Sequence, residues 1–441
     1  MELNKDQLKK QICKVIDKNR DRIINLAEEL YKNPELGYKE VFATKKVAEE
    51  FQRLGLEVEN GIAVTGCLSK VNEDKVGPNI AVMGELDSVI CPEHPHANKE
   101  GAIHACGHNN QIAAMVGSAI GLIESQVFNK LDGKLTFMAV PAEEFIELDY
   151  RTNLIDEGKI KYVGGKQELI HKGYFDDVDI AMMIHSLDLS SADKKMMIGC
   201  SGNGFIGKKV QFLGKESHAG SDPESGVNAL NAAMLAINNI HAQRETFADD
   251  DRIRVHPIIT KGGDIVNIVP ADVRMESYVR GRTIEGINDA NQKVNRALMA
   301  GAMAVGATVN ITEIPGYFPL LTHKPFDEIF YENAKKFVDD DEIQKGGQLG
   351  GSFDIGDLSH IIPVLHPLIG GVTGDLHTRE FKLEDLELAY ITPAKVMAMT
   401  IVDLLYDGAI EANKIVESYD PPMTKEEYLE FQEKNSKTIT S

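Results

Sequence analysis

The stretch Asn79-Ile80-Ala81-Val82-Met83-Gly84-Glu85-Leu86-Asp87 decides the fold. It is a short apolar run that ends on carboxylates. A continuous run of this length reads as a strand buried on both faces, and such strands belong to largely parallel sheets. The pattern recurs downstream. Residues 135–140 run into Pro141-Ala142-Glu143-Glu144, and residues 179–184 run into His185. Helical periodicity predicts a helix over 5–32, stopped by Asn33-Pro34, and others over 43–54 and 112–124, the last with Asn109 or Asn110 as its cap. Apolar strands separated by helices imply an α/β sheet. Ligands of such sheets sit beyond the carboxyl ends of the strands. Asp87, Glu143, Glu144 and His185 all fall at such ends.

The middle of the chain reads differently. Strand-like runs at 208–213, 253–259, 273–279 and 308–313 alternate with helical ones at 226–243 and 287–304. The order β-α-β-β-α-β predicts a ferredoxin-like domain. The first pattern resumes near Pro325 and reaches another polar strand end at His377. The expected class is α/β: a catalytic domain with a central, largely parallel sheet flanked by helices, plus an inserted ferredoxin-like α+β lid domain. The expected bounds are 1–200 and 315–441 for the catalytic domain and 201–314 for the insert. The tail, 421–441, is expected to hold one charged helix and a frayed end.

The 441 residues carry a formal net charge of −21, which argues against a broad nucleic-acid surface. The acidity reads first as solubility. Five scattered cysteines, an odd number in a long chain, do not make a disulfide framework and point to a reducing, cytoplasmic compartment. Residues 1–20 are charged and lack the apolar stretch of a signal peptide. No run is expected to reach the roughly 18 apolar residues of a membrane span.

His104-Ala105-Cys106-Gly107-His108 places a thiol and an imidazole two residues apart, on the same face if the chain is extended. Thiolate and imidazole together suit zinc or a similar ion, although cysteine is also a common core residue. Glu144, His185 and His377 supply the missing donors. With Cys106 and His108 they make a five-ligand set for two ions about 3.5–4 Å apart. Asp87 can bridge or orient, and Glu143 can take a proton and return it to a leaving amine. The competing readings are a solvated acidic pair at Glu143-Glu144 and structurally satisfied histidines at 185 and 377. The segment 91–98 holds His94 and His96. It reads as a mobile loop near the pocket, with extra ligation as the alternative.

These residues resemble the M20 metallopeptidase and amidohydrolase family, in particular its aminobenzoyl-glutamate hydrolase and dipeptidase-like branch. The resemblance covers nearly the whole chain. It rests on Asn33-Pro34-Glu35-Leu36-Gly37, Glu85-Leu86-Asp87, His104 to Asn109 and Pro141 to Glu144. It continues through Ser217-His218-Ala219-Gly220, Gly226 to Leu230, Asn267-Ile268-Val269-Pro270 and Gly351 to Asp357. Many members have Asp and then Gly-His after Cys-Gly-His, where this chain has Asn109, Asn110 and Gln111. The branch also uses Asn at the first of these.

The resemblance implies two divalent ions on Cys106, His108, Glu144, His185 and His377, with Asp87 in support and Glu143 as general acid/base. It implies that His218 steadies an oxyanion in a neighbouring active site of a homodimer formed through the lid. Asn267 and Arg280 would hold a substrate carboxylate, the competing reading of Arg280 being a surface ion pair. The thiolate favours zinc, and manganese or cobalt stay open. The expected activity is hydrolysis of an amide bond in a small N-acyl amino acid, dipeptide or aminobenzoyl-glutamate-like compound, with no nucleic-acid or membrane partner. The alternatives are a dimetal phosphoesterase and a noncatalytic metal- or peptide-binding relative.

Overall fold

In the computed structural model, which describes residues 4–441, Asn79–Glu85 is a strand buried along its whole length. Met1, Glu2 and Leu3, the start of the expected catalytic segment, lie outside the described residues. The strand pairs in parallel with Lys134–Val140 on one side and Ile180–Met182 on the other. The sheet runs Glu59–Ile62, Gly66–Val71, Lys134–Val140, Asn79–Glu85, Ile180–Met182, Val364–Leu365. Its first two pairings are antiparallel and the remaining three parallel. A second, four-stranded sheet carries His185–Ser186 at its edge, against Leu368–Ile369.

The chain divides into two compact units. The first comprises Met1–Ser201, Leu321–Gly347 and Leu358–Pro422. Its helix His108–Glu124 is buried from His108 to Leu122. Gly84 lets it approach the sheet, since a Cβ there would lie 3.2 Å from the Gln111 carbonyl. A second core helix crosses it where a Cβ on Gly117 would lie 2.8 Å from the Ala394 methyl. That helical stretch, Glu387–Leu405, does reach the length and apolarity of a membrane span, contrary to expectation. From Leu388 to Leu405 it is buried inside the unit, so its apolarity is that of a core helix.

Residues 5–32 form two helices rather than one, Lys5–Lys18 and Arg20–Lys32. Asn19 breaks the run: its amide side chain donates to the Val15 carbonyl and to Glu124, competing with the helical ladder. Helix His108–Glu124 begins four residues earlier than expected and neither asparagine caps it. Asn109 donates to Tyr390 Oη and Asn110 to Ser186 Oγ, so both are spent on tertiary contacts.

The second unit comprises Gly202–Leu320, Gln348–Asp357 and Met423–Ser441. Its sheet order is Arg254–Lys261, Asp272–Gly281, Gly204–Leu213, Thr308–Pro315, Lys437–Thr440, antiparallel throughout. Helices Ala229–Gln243 and Ile284–Val305 share a core with it through Ala232, Ala236, Val294 and Leu298 against Val210, Phe212 and Met275. The first four strands in this order follow the ferredoxin-like arrangement. The tail departs from expectation: after the helix Lys425–Lys434 it forms a fifth strand rather than fraying. Residues 348–357 and 423–441 therefore fold with the insert, not with the catalytic unit. The open edge of Thr308–Pro315 supplies the ladder of backbone groups that the tail satisfies.

Lys208 and Glu313 lie inside this unit with no side-chain exposure, 2.9 Å apart. Asn291 and Asn295 also donate to Glu313 Oε1, each at 2.7 Å. Burial alone would raise the Glu313 carboxyl, but Lys208 and these donors hold it down to about 2. That stabilisation is complete above the ordinary glutamate range and is lost as pH falls through it toward about 2. Glu313→Ala leaves a buried ammonium unpaired and is expected to cost about 3–5 kcal/mol. Denaturant unfolding at neutral pH should show a lower midpoint for the second unit, and the variant should lose this share of the acid sensitivity.

Candidate metal centre

Parallel register brings the carboxylates together. Glu85 stands opposite Val140 in the ladder, so Glu85-Leu86-Asp87 and Ala142-Glu143-Glu144 leave the sheet side by side. The second segment turns at once: Ala142 has φ 54°, in the left-handed region. Its amide donates to the buried Glu40 carboxylate at 2.8 Å, and its carbonyl accepts from Gly165 N–H at 3.0 Å. Glu144 N–H donates to Asp87 Oδ2 at 2.8 Å, which ties the two strand ends to each other.

Cys106 and His108 do not sit on an extended chain. Gly107 between them has φ 77°, and a Cβ there would lie 2.7 Å from Ser186. Only glycine fits, and its left-handed turn starts the helix at His108. His377 also lies in the left-handed region, φ 61°, with its N–H on the Ala105 carbonyl. Asp188 Oδ2 accepts from Gly374 N–H at 2.8 Å and so anchors the loop that carries His377.

The side chains converge. Cys106 Sγ lies 3.4 Å from His185 Nε2. His377 Nε2 lies 3.1 Å from Glu144 Oε1. His108 Nδ1 faces the Asp87 carbonyl at 2.9 Å and Asp87 Oδ1 at 3.2 Å. These contacts leave its Nε2 pointing into the cluster, 3.2 Å from Glu85, 3.8 Å from Glu143 and 4.0 Å from Glu144. His185 Nδ1 is likewise engaged by the Ser186 carbonyl, which presents Nε2 to Cys106.

Charges alternate across the cluster. Burial and Glu144 would raise the Cys106 thiol, but the surrounding imidazoles bring it down to about 6. Glu144 raises His377 to about 12 and, despite burial, falls to about 2 itself. Burial would lower His108, yet the Cys106 thiolate and Glu85 lift it well above the usual imidazole range. His104 beside them is the opposite case: burial and the charge on His108 push it down to about 3.

Three groups of donor atoms lie close enough to hold a cation: Cys106–His108–His185, Cys106–Glu144–His377 and Glu85–His108–Glu143. The first two contain all five expected ligands and share the Cys106 thiolate. The donor set fits a metal by a further sign. His108 Nε2 and Glu144 Oε1 are buried, make no well-aligned hydrogen bond among the described residues, and meet only charged groups of the cluster, Glu85 and His377 among them, so a cation there would complete them. Divalent ions therefore suit this site. Glu85 was not singled out in the sequence. The available signal was its place two residues before Asp87, the same-face spacing of a strand.

His94 and His96 do not join the cluster. His94 Nε2 bonds the Phe381 carbonyl at 2.8 Å and His96 Nδ1 faces Tyr31 Oη at 3.1 Å. Their segment is laced to the chain by Cys91 N–H to Gly101 and Asn98 N–H to Ala102, rather than free.

The three remaining candidates belong to the second unit. His218 and Asn267 stand on adjoining strands of a loop pair, bridged at His218–Ile268 and by Ala219 N–H to the Asn267 carbonyl at 2.9 Å. His218 Nδ1 accepts from Gly220 and Ser221 N–H, at 3.2 and 3.1 Å. Its proton is thereby assigned to the exposed Nε2, which becomes a donor. Arg280 donates through Nη1 to Ser352 Oγ at 3.0 Å and through Nε to His256 at 3.2 Å. The guanidinium lies 5.2 Å from both the Phe205 and Tyr278 rings.

Fold and donor set define the class, a metal-dependent hydrolase. Residues 201–303 match the M20 family model described as a peptidase dimerisation domain. The Xaa-Arg dipeptidase of Mus musculus is 28% identical over 426 residues, covering 91% of this chain and 90% of that protein. Thermostable carboxypeptidase 2 of Saccharolobus solfataricus is 27% identical over 69% of this chain and 75% of its own. Among solved structures, the aminobenzoyl-glutamate utilization protein of Klebsiella pneumoniae superposes with a TM-score of 0.67 at 17% identity, over 90% of this chain and 99% of that one. A dinuclear metal-binding M20 peptidase of Bacillus subtilis gives 0.63 at 22% identity, over 88% and 99%. The chain is thus similar to M20 metallopeptidases, by the match at residues 201–303 and by the fold along most of its length.

Asp87 touches both His108 and the Glu144 backbone, so its loss should loosen the ligands without opening the core. Asp87→Asn is expected to weaken metal binding on the order of 10–100-fold. Competition against a chelator of known affinity measures it, with far-UV circular dichroism unchanged.

Proposed function

We propose that the protein hydrolyses the amide bond of a small N-acyl amino acid, dipeptide or aminobenzoyl-glutamate-like compound, using two divalent ions that Cys106, His108, Glu144, His185 and His377 would hold. The observation that carries the reading is the sharing of one buried thiolate by two donor groups. In this reading Cys106, His108 and His185 hold one ion and Cys106, Glu144 and His377 the other. Bound there, the ions would supply an acidified water and polarise the scissile carbonyl.

The protein's own groups do the rest. Asp87 fixes the His108 tautomer by engaging Nδ1. Glu143, buried beside His108 and free of the two thiolate-sharing groups, accepts the proton of the attacking water and returns it to the leaving amine. In the homodimer of this reading, His218 Nε2–H donates to the oxyanion that forms at the carbonyl carbon in the neighbouring active site. Arg280, over the adjoining Phe205 and Tyr278 rings, and Asn267 recognise a substrate carboxylate. The thiolate favours zinc. A homodimer through the second unit, working in a reducing, cytoplasmic compartment, is in keeping with the dimerisation-domain match and the five free thiols. A phosphoesterase has less support: Lys166, the buried cation beside the ligands, is committed to Glu85.

Metal-reconstituted protein should release amine from members of a panel of N-acyl amino acids, dipeptides and aminobenzoyl-glutamate, and stop on adding chelator. Silence across the panel with two ions bound would reject the reading. Glu143→Gln is expected to keep both ions and lose roughly 10²–10⁴ in turnover. His218→Ala should lower kcat about 10²–10³-fold with metal content unchanged. Unaltered kinetics in either variant would remove that residue from the mechanism.

A further inference from the structure

The segment from Asn33 to Glu40, which opens with the motif Asn33-Pro34-Glu35-Leu36-Gly37, supplies no donor to the metal centre. It joins the helices Arg20–Lys32 and Val41–Arg53 and touches both strand exits that carry the acids. On one side the Glu35 carbonyl accepts Ser88 N–H and Ser88 Oγ–H, each at 2.8 Å, next to Asp87. On the other, Glu40 Oε1 accepts Ala142 N–H at 2.8 Å, next to Glu143. Between them Gly37 comes so close that a Cβ on it would lie 2.9 Å from the Ala142 Cα. Further stitches follow on the same side: Tyr38 Oη donates to the Tyr162 carbonyl at 3.1 Å, and Lys39 pairs with Glu147 at 2.7 Å.

The contact at Ala142 bears on the chemistry. Its φ of 54° is unfavourable for alanine, because Cβ crowds the backbone there. Such a turn persists only where its surroundings over-determine it. Here the N–H is taken by Glu40, and the carbonyl accepts Gly165 N–H at 3.0 Å. Glu143 and Glu144 follow directly in the chain, so relaxation of this turn toward ordinary φ would swing both side chains. Glu40 is itself held in place. It has no exposure, and its Oε2 accepts from Thr65 Oγ1, whose carbonyl accepts in turn from Thr44 Oγ1. Burying a carboxyl group is costly, and packing alone would be served by an apolar side chain.

We propose that Glu40 is a positioning residue of the active site: by holding Ala142 N–H it keeps the left-handed turn that aims Glu143 at the attacking water and Glu144 at its ion. Glu40 acts through the backbone and touches neither water nor ion. The inference rests on the reading of Glu143 as acid/base and Glu144 as ligand.

Three variants of the whole protein test it. Glu40→Ala removes the acceptor. Glu40→Asp keeps a carboxylate but withdraws it from Ala142 by one methylene. Glu40→Gln keeps an oxygen for Ala142 N–H, and the Thr65 hydroxyl can accept from its amide. The readouts are stepwise cobalt binding in competition with a chelator, and kcat and KM on the panel substrate that wild type cleaves. Glu40→Ala and Glu40→Asp should bind one ion with wild-type affinity and the other on the order of 10–100-fold more weakly. Their kcat should fall about 10²-fold with KM little changed. Glu40→Gln should restore both properties. If Glu40→Ala does not fold, Glu40→Asp carries the test alone. Wild-type affinities and kcat in Glu40→Asp would overturn the proposal, and so would a Glu40→Gln as impaired as Glu40→Asp. Wild type that binds no ion would reject the reading of Glu144 and this inference with it. Wild type that binds two ions but cleaves nothing would reject the hydrolase reading alone, and the cobalt affinities would still decide the role of Glu40.

Discussion

The structure depends on one constraint, the parallel register between two buried strands. Asn79–Glu85 and Lys134–Val140 are apolar enough to be covered on both faces, and their ladder fixes which residues leave the sheet together. Because Glu85 is level with Val140, four carboxylates emerge within a few residues of each other at one edge. A slip of one residue would turn the side chains of one strand to the opposite face. The hydrogen bond from Glu144 N–H to Asp87 then locks the two exits together. Everything else at the centre is added to that edge.

Crowding so many acids in a buried place needs compensation. Carboxylates at 85, 143 and 144 and a thiol at 106 would repel one another if left to themselves. The imidazoles of His108, His185 and His377 and the ammonium of Lys166 balance them in the protein without ions. Divalent cations can take over from the protons on those imidazoles, which is why a site of this composition binds metal and releases protons together. The same logic in the second unit has no such exchange. There Lys208 pairs with Glu313 Oε1, to which two asparagines also donate.

Backbone strain is spent where aim matters. Gly107, Ala142 and His377 all adopt left-handed conformations, and each stands within two residues of an expected ligand or is one. The turn at Gly107 separates Cys106 from His108 while keeping both on the cluster. The extended chain first expected would have put them on one face by simple alternation, and the structure reaches the same end by a sharper route.

Much was legible in the sequence because it depends on local pattern. Unbroken apolar runs ending in acids gave the parallel strands, and the spacing of the middle segment gave the ferredoxin-like order. Residue type and placement at strand ends picked out Asp87, Cys106, His108, Glu143, Glu144, His185 and His377, which the structure brings together. Other features are properties of distant contacts. Asn19 splits a helix by reaching Glu124, and Asn109 and Asn110 abandon capping for Tyr390 and Ser186. The tail becomes a strand because Thr308–Pro315 offers it an edge. Glu85 and Lys166, 81 positions apart, meet only after the sheet has formed. The sequence by itself determined which chemistry is present and where strands must end, since hydrophobic periodicity and side-chain type are written residue by residue. Tertiary structure alone decided which atom of each residue faces the cluster, because that depends on hydrogen bonds between segments far apart in the chain.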